Sequence, residues 1–111
     1  MFNLDTDQLI EKAMAGDCQA QQSLLTRNRS RLKRMIGVYL DPRLSARVDP
    51  SDILQEALTC AAERLVTYLE EQPIAFYPWL RQFVHNELTN IHRRHVLAQR
   101  RAVGREQPLG S

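Results

Sequence analysis

At 111 residues the chain can enclose one hydrophobic core and is too short for two ordinary domains, and an apolar share of 43% excludes a disordered polymer. No apolar run reaches membrane length, and Asp5 and Asp7 lie where the basic end of a secretion leader would be, so a cytoplasmic protein with no membrane insertion is expected. The net charge of +2 is unevenly spread: residues 1–26 carry −3, 27–50 carry +5, 51–75 carry −4 and 76–111 carry +4. Two basic blocks separated by an acidic one fit either two kinds of partner surface or the solvated faces of four helices.

In chain order, Leu4, Leu9, Ile10, Ala13 and Met14 recur at helical spacing, with Asp5 to Asp7 as candidate caps and Gly16 as the stop. Asp17 suits the N-cap of a second helix reaching about Leu40, whose core stripe is Ala20, Leu24, Leu25, Leu32, Met35, Ile36 and Tyr39. Asp41-Pro42 ends it, because a residue before proline is pushed out of the helical region. The connector "DPRLSARVDPSD" leads to a third helix over roughly 51–70, with Pro50 in its first turn and Asp49 or Ser51 as cap. Its inward positions are Ile53, Leu54, Ala57, Ala61, Leu65 and Tyr68. Pro73 and Pro78 bound the loop in "EEQPIAFYP", and Pro78 opens the last helix, with Trp79, Leu80, Phe83, Val84, Leu88 and Ile91 inward. That helix is expected to run through Arg101 and stop at Gly104. Neither strand-like alternation nor an internal repeat occurs, so the fold class is all-α, a bundle of about four helices over residues 1–103, with 104–111 beginning a linker or tail.

Cys18 and Cys60 lack CxxC spacing and are expected to be reduced thiols near or in the core. His85, His92 and His95 do not make a metal site: arginines surround them, and no cysteine or acid completes a tetrahedral set. With no nucleophile–base pair and no phosphate loop, an enzyme is not expected, nor is a cofactor. Asp52, Gln55, Glu56 and Thr59 fall at i, i+3, i+4 and i+7, one polar stripe opposite the apolar one, which is either a solvated acidic face or a docking surface. In "NIHRRHVLAQRR" two histidines and four arginines occur without an acid, a composition suited to phosphates.

Three stretches resemble region 2, the promoter-melting domain, of the extracytoplasmic-function group of bacterial sigma factors. "AGDCQAQQSLLTRNRSRLKRMI" resembles that family's opening helix pair, and "DPSDILQEALTCAAERL" is similar to its Asp-x-x-Gln-Glu helix. "AFYPWLRQFVHNELTNIHRRH" resembles its Phe-Tyr-x-Trp-Leu stretch with the Asn and basic tail that follow. The three occur in family order over nearly the whole chain.

The resemblance implies that Asp52, Gln55, Glu56 and Thr59 dock on a coiled coil of the largest subunit of core RNA polymerase, with Glu63 continuing the face. It further implies that Tyr77, Trp79, Arg81, Gln82, His85, Asn86, His92, Arg93 and Arg94 hold the non-template single strand of the minus-ten promoter element. Asn86 and Gln82 are then the candidates for base edges and the arginines for phosphates. Trp79 and Phe76 are equally suited to anchor the core, because Trp79 shares a face with Phe83. "RNRSRLKR" in the second helix is either a solvated back or a contact to promoter DNA upstream of the melted region. Family members carry a second helical domain that reads the upstream promoter element, so this chain is expected to be a fragment of a longer protein rather than a stand-alone remnant. The family also leaves room for an anti-sigma factor. The alternative from another class is a helical adaptor that binds a protein through the acidic helix and touches no DNA.

Overall fold

Five helical segments organise residues 5–106, the part of the chain that the computed structural model describes: α1 (Thr6–Met14), α2 (Cys18–Thr26), α3 (Arg29–Tyr39), α4 (Pro50–Glu71) and α5 (Phe76–Glu106). The described residues contain no strand, and the fold is all-α, with α4 and α5 as its two long helices. Together α2 and α3 occupy what the spacing reads as one helix, so the bundle has four arms and one of them is broken. The break lies at Arg27 and Asn28: Arg27 stays helical, whereas Asn28 sits at φ −99°, ψ 14° and its side chain caps nothing. Asparagine competes poorly for helix interiors, and neither glycine nor proline marks the site. The ladder resumes with the Leu32 N–H donating to the Asn28 carbonyl at 2.9 Å.

Aspartates set three of the helix starts. Asp5 and Gln8 form a reciprocal capping box at α1, and the Asp17 carboxylate accepts from the Gln19 and Ala20 N–H groups at α2. At α4 the Asp49 carboxylate accepts from the Ser51 N–H at 2.8 Å while Pro50 occupies the first helical position, as expected. Between α1 and α2 the chain turns at Gly16, whose φ of +92° suits a residue without a Cβ. A second left-handed residue, Gln72 at φ 41°, closes α4, with its N–H donating to the Tyr68 carbonyl.

The core lies around α4, which touches each of the other four segments. Its buried face is Ile53, Leu54, Ala57, Leu58, Ala61, Leu65, Tyr68 and Leu69, which meets Leu24 from α2, Leu32 and Ile36 from α3, and Leu80 and Val84 from α5. Each fully buried side chain of this size contributes roughly 1.5–3 kcal/mol before chain entropy is subtracted. Among the described residues no charged or amide side chain is buried, and the one hydroxyl in the core, that of Tyr68, has a backbone acceptor.

Several expectations need correction. Met14 and Tyr39 fit their helices' apolar stripes but are 57% and 51% exposed, because each is the last residue of its helix. Cys18 is exposed rather than near the core, and Cys60 is half-buried. Pro78 does not open the last helix: α5 begins two residues earlier, at Phe76. Proline is tolerated at this third position since the first four N–H groups of a helix have no acceptor within it. Nor does Gly104 stop α5, which continues to Glu106. Leu4 and the tail from residue 107 lie outside the described residues.

Residues 41–49 form a run of turns rather than a loose loop, with Leu44 buried and the Arg43 guanidinium paired to the Asp41 carboxylate at 3.0 Å.

Candidate partner and nucleic-acid surfaces

On α4, every position of the predicted docking stripe is exposed: Asp52, Gln55, Glu56 and Thr59 lie opposite the buried face. Glu63 and Glu70 extend the ridge at i+11 and i+18, so one edge of a 22-residue helix is acidic. Neither Asp52 nor Glu56 makes an ion pair among the described residues, where the pairs are Arg43–Asp41 and Arg94–Glu87. The Thr59 hydroxyl donates to the Gln55 carbonyl at 2.8 Å, which leaves its oxygen lone pairs and the Gln55 amide facing outward. Beside them a depression of about 240 Å³ is lined by Gln22, Leu25, Arg29 and Leu58. The exposed amide and carboxylates of the ridge match a partner with basic and polar side chains.

The predicted strand-binding residues of α5 divide into three groups. Gln82, Asn86 and Arg93 follow at i, i+4 and i+11 on the outermost stripe, all exposed. Tyr77, Arg81, His85 and His92 follow at i, i+4, i+8 and i+15 on the flank toward α3, all half-buried. Trp79 and Arg94 lie on the flank toward α4. Trp79 belongs to an aromatic cluster, with ring centroids 4.6 Å from Tyr68, 4.8 Å from Phe83 and 5.7 Å from Phe76. Of its two sequence readings, the packing favours a structural anchor. Arg94 is held at home by Glu87 (3.6 Å) and by the Asn90 carbonyl.

The α3-facing flank is stitched by three contacts that sequence spacing does not reveal. The Arg31 guanidinium lies 3.7 Å over the Tyr77 ring, a cation–π pair. Tyr39 and His85 approach to 5.6 Å between centroids. The Asp41 N–H donates to His92 Nε2 at 3.2 Å, which ties that nitrogen to the backbone at the end of α3. Because residues 31, 39 and 41 meet 77, 85 and 92 in turn, α3 and α5 run side by side in the same direction. One arginine of each basic block, Arg31 and Arg81, thereby meets at this seam.

Charge at the end of this seam is fixed. A side-chain hydrogen bond from Arg43, its backbone N–H and its charge hold the Asp41 carboxyl at a pKa of about 2. In contrast, burial first and the nearby Glu56 and Glu63 carboxylates second push the Cys60 thiol up, away from the reactive thiolate. Burial also raises the Tyr68 phenol, which donates to the Ile74 carbonyl at 2.7 Å. No three histidine, cysteine, aspartate or glutamate side chains gather to hold a metal among the described residues. Nor is any described helix long and apolar enough to cross a membrane. No family model, curated protein or solved structure matches the chain.

Proposed function

We propose that this chain is a transcription-initiation domain of the sigma region 2 type, a cytoplasmic binding protein and not an enzyme. It docks on core RNA polymerase through the α4 ridge and holds the non-template strand of the minus-ten element along α5. The observation that carries this reading is the separation of two exposed ridges on neighbouring helices. One is acidic and amide-bearing (Asp52, Gln55, Glu56 and Thr59), and the other is polar and basic (Gln82, Asn86 and Arg93). A protein-only adaptor needs the first and has no use for a stripe that combines an amide with unpaired arginine. On this account duplex opening requires no chemistry: binding of the separated strand offsets an unstacking cost of about a few kcal/mol.

The docking half is tested by capture of bacterial core RNA polymerase on the immobilised chain. Gln55→Ala and Glu56→Lys remove contacts at the centre of the ridge, where truncation costs about 2 kcal/mol or more, so retention should fall at least roughly thirtyfold. Far-UV circular dichroism should not change, because both side chains are exposed. Retention equal to that of the parent chain would remove α4 as the docking surface.

A further inference from the structure

We infer that Tyr39, at the end of α3, is a stacking platform for an unpaired base, and that the α3–α5 seam is the channel along which a single strand lies. This rests on the strand-binding half of the proposed function and adds a residue and a path to it.

A single strand needs cations for its phosphates and flat side chains for its bases, interleaved along one groove. The seam has that alternation. From its start it presents Arg31 stacked on Tyr77, then Arg81 one turn further along α5, then Tyr39 against His85. The clasp between the Asp41 N–H and His92 closes its far end. Tyr77 is covered by Arg31 and is therefore occupied, and Trp79 is turned into the aromatic cluster at the core's rim. Tyr39 differs from both: half of its surface is open, and its neighbour Val38 is 77% exposed. Its contact with His85 is tilted by 57°, which steadies the ring without covering it as a parallel stack would. A core tyrosine would have an apolar roof and a partner for its hydroxyl. Among the described residues Tyr39 has the histidine contact and no hydrogen bond.

Stacking and phosphate contacts are separable in one experiment. The 111-residue chain, free at low salt and again bound to core polymerase, is titrated against a short labelled oligothymidylate and against its abasic twin. Tyr39→Leu should weaken the thymidine strand by about 5- to 150-fold, the range for loss of one base stack. It should leave the abasic twin unchanged, and Tyr39→Phe should retain parental affinity for both. Thermal unfolding of each variant registers any effect on folding, and the phenylalanine variant keeps the ring where the leucine variant unfolds. Equal weakening of both strands by Tyr39→Leu, no weakening of either, or failure of Tyr39→Phe to preserve binding overturns the platform. If Arg93→Ala still weakens binding in that case, the strand-binding reading stands without Tyr39. If the parent chain binds neither strand in either state, both fall.

Discussion

Asn86 and Arg93 occupy the same exposed stripe of α5 but carry different chemistry. An asparagine offers a donor and an acceptor together, which a base edge requires and a phosphate does not. An arginine beyond reach of an acid offers charge, and Arg93 has no ion-pair partner among the described residues, unlike Arg94. Each phosphate neutralised on a single strand contributes about −0.7 to the slope of log affinity against log salt. Arg93→Ala should therefore weaken all single strands alike and flatten the slope by an amount of that order. Asn86→Ala should keep the slope and lose discrimination at one position, by roughly 1–3 kcal/mol for a bidentate contact. A salt titration of the polymerase-bound chain against single-base variants of the strand reads both. A changed slope with intact base preference for Asn86→Ala would reverse its role. Unfolding of that variant would make it structural, although its exposure argues against this.

At the scale of the elements, α4 shows how far local signals reach. Asp49, Pro50 and the spacing from Ile53 to Tyr68 specify its start and its inward face, and both are found as expected. Its start also makes a direct prediction: Asp49→Ala removes the acceptor for the Ser51 N–H and should cost about 1 kcal/mol. For a domain of this size that lowers Tm by roughly 4–8 °C, and an unchanged melting curve would show that the cap is not stabilising. Periodicity is less informative at helix ends, since it identifies a face and not the length of the neighbour that covers it. Tyr39 and Met14 hold apolar positions at the last residue of their helices, where no element covers them fully, so the spacing places them in the core although they are surface. The break at Asn28 leaves little trace in the sequence for a different reason: Arg27 keeps helical angles, only Asn28 departs from them, and neither residue is glycine or proline. Trp79 suits a core anchor or a base platform by spacing alone, and the rings of Tyr68 and Phe76 packed around it favour the anchor. The Arg31–Tyr77, Tyr39–His85 and Asp41–His92 contacts depend on the register of α3 against α5, which no local pattern encodes.

For the molecule as a whole, the modest net charge of +2 is the sum of strongly alternating blocks, and the fold sorts those blocks into separate surfaces. Arg31 of the first positive block and Arg81 of the second lie at the α3–α5 seam, while the acidic block forms the outer edge of α4. Such a molecule should bind duplex DNA weakly alone, because its positive surface is limited and acidic ridges stand nearby. Polymerase, once docked on α4, would cover the acidic edge and leave the basic seam to the strand. The most direct test is retention of a labelled non-template single strand, and of its duplex, by the chain alone, by core polymerase alone and by the two together, at physiological salt. The account predicts tight, strand-selective retention only when both proteins are present, and its loss with Glu56→Lys. Tight and sequence-specific duplex binding by the free chain, or retention by polymerase that the chain does not alter, would contradict it.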